Sequence, residues 1–261
     1  RTVGGSGSHH LVMKGLDALK RHGAEFNVLT LVTQANVDRP AEIYHYLKDL
    51  GAAYHQYIPC VELDEAGDLT PYSITGRQWG HFLAAVFDEW VEDDVESVSI
   101  RLFDSILQKT LTGSAGVCAM GKDCRHYFVV EHNGDIYPCD FYVEPELLLG
   151  NVYRDRFVEL WRSGAYRSFG RMKKQWNGAC SDCPYLTYCA GDCPKMRLGA
   201  GPSGAHATTR PSRAPRPYDS TSEAEVSVLC PGWKHFYAHT LPRFEELATE
   251  FRAGRLRRSA V

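Results

Sequence analysis

At 261 residues, with 44% apolar and 23% charged residues and a formal net charge of −3, the chain has the composition of an ordinary soluble protein long enough for more than one domain. That balance gives no electrostatic argument for nucleic acid or an anionic membrane as partner, and no apolar run approaches the roughly 18 residues that span a bilayer. The first residue is Arg1, no apolar leader follows it, and the chain reads as a fragment of something longer.

The first hundred residues alternate helix and strand. Leu11, Val12, Met13, Leu16 and Leu19 mark one face of a helix over 8–22, which Gly23 ends. The nearly continuous apolar run FNVLTLV over 26–32 predicts a parallel strand buried on both faces. Ile43, Tyr44, Leu47 and Leu50 repeat with helical spacing after Pro40, and a second strand follows over 53–59. A helix over 79–90, a short strand over 95–100 and a helix over 102–111 complete this half. Such alternation implies βα units on a parallel sheet, with too few strands to close a barrel.

The character changes at Gly113. Two strands, over 128–131 and 135–137, flank the Asn-Gly hairpin signal His132–Asn133–Gly134. An amphipathic helix begins at Phe157 and runs toward Trp176. Residues 180–193 form a cysteine-dense loop in which metal ligation would substitute for a core. The stretch 199–222, rich in Gly, Pro, Ser, Thr and Ala, is expected to be a disordered insertion, with a recognition arm built on Arg210, Arg213 and Arg216 as the alternative. Phe236, Tyr237, Leu241, Phe244 and Leu247 then suggest a closing helix.

Cysteine usage carries the chemistry. Cys60 stands alone, while Cys118-x5-Cys124-x14-Cys139, Cys180-x2-Cys183-x5-Cys189-x3-Cys193 and Cys230 crowd the second half. Without a secretory signal, crowded thiols favour metal over disulfides and point to a reducing cytosol. Eight thiols supply two four-thiolate sites. A [4Fe–4S] cube takes ligands from widely separated loops, whereas structural zinc prefers paired short knuckles, which the x5 and x14 gaps fit poorly. Zinc stays open for Cys180-x2-Cys183, as do purely structural or redox thiols.

This spacing, with the strings GDIYPCDFY, LGNV and CSDCPYLTYCAGDCPK, resembles the SPASM domain of radical S-adenosylmethionine (SAM) enzymes, and within them the anaerobic sulfatase-maturating enzymes. The upstream strings VMKGLDALKRHGAEFNVLTLV and YHQYIPCVE resemble the second half of their partial barrel. The resemblance implies an α/β fold: the C-terminal part of a partial (β/α)6 radical SAM barrel over 1–112, then a cysteine-rich SPASM domain over 113–261 with a small β-hairpin and helices. It implies that Cys118, Cys124, Cys139 and Cys193 hold a first auxiliary [4Fe–4S] cluster, and that Cys180, Cys183, Cys189 and Cys230 hold a second. It also implies that the C-x3-C-x2-C motif holding a third cluster, the one that cleaves SAM, lies upstream of Arg1.

Asp140, directly after Cys139, matches the family's proposed catalytic base; the plainer reading is a carboxylate accepting backbone hydrogen bonds in a turn. Arg1 matches a SAM-contacting arginine or is simply a chain end, and Ile58 falls where the family packs the adenine or is plain core. Tyr137, Phe141 and Tyr142 would line a peptide channel or the core, Cys60 reads as a small buried hydrophobe, and His235 and His239 face solvent on the last helix. For the complete enzyme the resemblance implies oxidation of a Cys or Ser in an unfolded sulfatase polypeptide to Cα-formylglycine. Its electron would leave through an auxiliary cluster toward a carrier such as a flavodoxin or ferredoxin. The alternatives are a SPASM enzyme that modifies a ribosomally made peptide, or a non-catalytic iron–sulfur or zinc protein.

Overall fold

The structure, a computed structural model, describes residues 5–66, 68–197 and 225–256. The insertion expected at 199–222 and Arg1 lie outside the described residues.

The first half is built from α1 (His9–Arg21), β1 (Asn27–Val32), α2 (Pro40–Asp49), β2 (Tyr54–Pro59), α3 (Gly76–Asp93), β3 (Ser99–Ile100) and α4 (Arg101–Thr112). Its three strands form a parallel sheet in the order β1-β2-β3, with Leu31 opposite Ile58 and Tyr54 opposite Ser99. The expected strand over 95–100 shrinks to two residues, because the Ser97 and Val98 amides turn back onto the Asp94 carbonyl. β1 is an edge strand rather than one buried on both faces: Leu29 and Leu31 are 60% and 51% exposed. The apolar stripe of α1 is likewise uncovered, and none of its residues is buried.

The main core lies on the other side of the sheet. α3 starts at a capping box in which the Thr75 side chain and Gln78 satisfy each other's backbone. It buries Trp79, Phe82, Leu83, Val86, Phe87 and Trp90. Lys48 and Tyr44 on α2 both donate to the Asp94 carboxylate just past its end, each at 2.5 Å.

The second half begins with a 3-10 turn, Cys118–Met120, and a three-stranded antiparallel sheet of β4 (Val129–Val130), β5 (Asp135–Tyr137) and β6 (Gly150–Asn151). The hairpin joins β4 to β5, with Gly134 in the left-handed region; β6 is an addition that the sequence pattern did not signal. The helix expected from 157 toward 176 is broken into α5 (Phe157–Arg162) and α6 (Gly164–Arg171). Ser163 between them is extended and its hydroxyl accepts from the Tyr166 amide, so a cap restarts the helix at a new angle. Two single-turn helices follow, α7 (Gly178–Ser181) and α8 (Leu186–Cys189).

The closing helix α9 (Cys230–Arg252) returns to the first half and packs against α3 and α4, with Phe236 and Phe244 against Phe103. No helix among the described residues is long and apolar enough to cross a membrane.

Candidate functional site

Short loops carry the thiols, and each loop is pinned by backbone hydrogen bonds. Cys118 opens the 3-10 turn after α4, and its carbonyl accepts from Gly121. The Cys124 amide donates to the Gly170 carbonyl, docking its loop onto α6, where glycine leaves the room that Asp123 and Arg125 fill. Cys139 follows β5, Cys189 ends α8, Cys193 precedes a 3-10 turn and Cys230 begins α9.

The eight cysteines fall into two neighbourhoods. Burial pushes Cys124 up to about 12, and Cys118 and Cys139 lie close enough to raise it further. Cys193, also pushed up to about 12 by burial, feels Cys124 in the same way. In the other neighbourhood, burial raises Cys230, and Cys180 and Cys183 add to the effect. Cys189 is pushed up to about 12 by burial with a contribution from Cys230. These last four thiols line one pocket of about 70 Å³ with Tyr185 and Trp233.

The two neighbourhoods meet at the turn between Cys189 and Cys193. Its residues Ala190, Gly191 and Asp192 are all left-handed, with φ of 49°, 71° and 60°. Glycine adopts that region freely and Asp tolerates it through local hydrogen bonds such as that from the Cys193 amide, whereas Ala190 costs about 1–2 kcal/mol there. Two cations hold the turn shut. Arg197 donates to the carbonyls of Gly191, Ala190, Asp192, Met172, Gln175 and Lys173. Lys173, 1% exposed, donates to the carbonyl of Asp192 and, at 2.8 Å, to that of Ala119 beside Cys118. The Asp192 carboxylate is occupied by the Cys193 amide at 2.7 Å and the Ser227 hydroxyl at 2.6 Å.

Asp140 is exposed next to Cys139, and its Oδ1 accepts from the Cys139 thiol at 3.3 Å and from the Tyr127 hydroxyl at 2.9 Å. Burial, then Cys139 and the bond to Asp140, hold Tyr127 well above the usual phenol range, so it remains a donor. Ile58 is half-buried on β2, and Cys60 just beyond is buried, with its amide on Val32 and its carbonyl accepting from Ile74. Tyr142 is buried against Phe169, Phe141 is partly exposed, and His239 bonds Asp88 on α3 at 2.6 Å. Arg1 lies outside the described residues.

Sequence reasoning passed over Lys173, Arg197 and Tyr127. Lys173 sits in the basic run Met172–Lys173–Lys174, which reads as a solvated face, and only three-dimensional packing shows that one lysine of the pair is buried.

The donor sets suit thiolate-ligated clusters: each neighbourhood offers four thiols. Among the described residues no three His, Cys, Asp or Glu side chains are arranged to hold one metal ion, and a cube, which takes its ligands at four corners, requires no such common centre. Trp233, which lines the second pocket, has a buried indole N–H without a partner among the described residues, a donor that a group filling that pocket would satisfy. Residues 118–184 match the SPASM iron–sulfur cluster-binding domain. The chain is 34% identical over 255 residues to a serine-type anaerobic sulfatase-maturating enzyme of Bacteroides thetaiotaomicron, covering 92% of this chain and 57% of that protein. To the cysteine-type enzyme of Clostridium perfringens it is 29% identical over 245 residues, covering 92% and 61%. Over the part it shares with them, the chain is similar to the anaerobic sulfatase-maturating enzymes.

The fold agrees. The structure of native anSMEcpe with bound AdoMet and the Cp18Cys peptide superposes with a TM-score of 0.80 at 28% identity, covering 95% of this chain and 64% of that one. With AdoMet alone the same protein gives a TM-score of 0.78 at 27% identity. The chain thus spans about three fifths of the length of these sulfatase-maturating relatives, 57% and 61% of the two curated proteins. The SPASM match ends at residue 184, so Cys189, Cys193 and Cys230 lie beyond it.

Proposed function

We propose that this chain is the auxiliary-cluster part of a radical SAM sulfatase maturase, which oxidises a Cys or Ser of an unfolded sulfatase polypeptide to Cα-formylglycine. In this reading residues 1–112 are the partial barrel and 113–261 the SPASM domain. Cys118, Cys124, Cys139 and Cys193 hold one [4Fe–4S] cluster, and Cys180, Cys183, Cys189 and Cys230 the other. The single observation that carries the reading is the division of eight thiols into two sets of four that meet at one turn. SAM, with Ile58 and Arg1 beside it, and a third cluster belong to the barrel of the complete enzyme. The reaction takes place in the cytoplasm, with a flavodoxin- or ferredoxin-like electron carrier.

When bound, the clusters supply one-electron acceptance, the natural role of fully thiolate-ligated iron. This chain's own residues do the rest. Asp140 accepts a proton from the substrate side chain at its carboxylate. Tyr127 holds that carboxylate at a fixed angle by donating to Oδ1. Cys139 lies within reach of the same Oδ1, so a Cys139 ligand would sit directly beside the carboxylate that takes the proton.

Anaerobic reconstitution tests the ligand sets. Brown protein with about eight irons per chain is the content of two cubes, and colourless protein with two zinc ions would overturn the reading. The chain joined to a segment bearing the C-x3-C-x2-C motif should then convert a sulfatase-derived peptide to its formylglycine form.

A further inference from the structure

Lys173 is the most deeply buried cation among the described residues, and the acid that acts on it most, Asp192, makes no direct ion-pair contact with it. It forms no ion pair with a carboxylate among them, and its two acceptors are the neutral carbonyls of Ala119 and Asp192. The nearest acid, Asp192, already spends both oxygens on the Cys193 amide and Ser227. A buried ammonium without a directly bonded anion is a costly arrangement for a fold to retain. What does surround it is thiol. Its charge acts on Cys118, Cys124 and Cys193 of one set and on Cys189 of the other. Its two hydrogen bonds tie the loop of Cys118 to the residue preceding Cys193.

We infer that Lys173 is the charge-compensating cation shared by the two clusters, an ammonium that stabilises the reduced form of each. A cube held by four thiolates is an anion, and reduction adds one further negative charge. In a low-dielectric interior, a fixed cation nearby favours the more negative state and so raises the reduction potential. One lysine bonded to the turn between Cys189 and Cys193 lies where the two sets meet and raises both potentials together, which keeps the step between the clusters small while easing electron entry. Lys173 is therefore a positioning residue acting through the clusters, not a group that touches substrate. Arg197 shares the scaffold through the carbonyls of Gly191, Ala190 and Asp192; Lys173 differs in also reaching the Cys118 loop through Ala119.

The inference rests on the ligand sets proposed above. The test is potentiometric titration of the reconstituted 261-residue chain, followed by EPR of the reduced clusters, for wild type, Lys173→Gln and Lys173→Arg. Wild type without iron would defeat the ligand assignment itself, a different failure from any that follows. With iron content intact, Lys173→Gln should lower both midpoints by the equivalent of roughly tenfold in the one-electron equilibrium, about 59 mV, and Lys173→Arg should restore them. Iron lost from Lys173→Gln but kept by Lys173→Arg also supports the inference, since charge rather than shape then retains the clusters. Unchanged midpoints in a fully loaded Lys173→Gln, or equal iron loss in both variants, would overturn it and leave Lys173 a strut between two loops.

Discussion

Gly80 on α3 and Gly232 on α9 touch backbone to backbone: a Cβ built on Gly80 would lie 2.5 Å from the Cα of Gly232. A Cβ on Gly232 would lie 1.9 Å from the Gly76 carbonyl oxygen. This contact sets the depth at which α9 docks, and Cys230 stands two residues before it at the helix start. Gly80→Ala or Gly232→Ala forces the helices apart, with no flexible side chain to give way. Each should cost about 1–3 kcal/mol by overpacking. Chemical denaturation reads the loss, and iron analysis should show the cluster proposed to include Cys230 depleted before the other.

Asp140→Asn in the complete enzyme keeps the side-chain size and removes the proposed proton acceptor. Formylglycine production should fall by at least the ~10²-fold typical of a lost general base, with SAM cleavage and iron content unchanged. Tyr127→Phe, which only frees the carboxylate to turn, should cost less. Measuring 5′-deoxyadenosine and formylglycine side by side separates these outcomes; wild-type formylglycine output from Asp140→Asn would reduce Asp140 to a loop residue.

The Asp94 carboxylate gives the fold an acid-sensitive joint between α2 and the end of α3. Burial by itself would raise its pKa, but the bonds from Lys48, Tyr44 and Ser97 outweigh that and hold it below the usual carboxylate range. A depressed native pKa means the stabilisation is fully present above the unfolded value, about 3.9, and drains away as pH falls through the lower folded value. Asp94→Asn should therefore cost about 1–3 kcal/mol at pH 7, the scale of hydrogen bonds to a charged group. The gap from wild type should close in urea titrations carried below about pH 4. A gap independent of pH would show that the carboxylate's charge is irrelevant.

β1 leaves Leu29 and Leu31 uncovered on the edge of the parallel sheet, and α1 leaves Leu11 and Val12 exposed. An edge strand with apolar side chains is a template for association. The 261-residue chain should self-associate in light scattering, and the double substitution Leu29→Lys with Leu31→Lys should return it toward monomer without changing its melting temperature by more than a degree or so. A monodisperse wild-type chain would show that this face is harmless.

The sequence was most legible where periodicity or special turn chemistry speaks. The α3 pattern ran from Trp79 to Trp90, the Asn-Gly turn announced the hairpin, and the βα alternation announced the parallel sheet. FNVLTLV misled because a continuous apolar run does not say which faces have partners. The break at Ser163 was missed because Ser is compatible with a helix interior until its hydroxyl finds the Tyr166 amide. At the site, the cysteines were plain from their number and spacing. Lys173 was not, because burial of one lysine in a basic run is decided by packing from distant loops.

The left-handed Ala190–Gly191–Asp192 turn carries one thiol of each set at its two ends. If those thiols ligate as proposed, filling either site freezes a segment the other site also needs ordered, and the entropy of that ordering is met once. Iron uptake should then be cooperative. At substoichiometric iron, native mass spectrometry should find empty and fully loaded chains in excess, with singly loaded chains scarce, and Gly191→Ala, which crowds Trp176 and Arg197, should loosen that linkage.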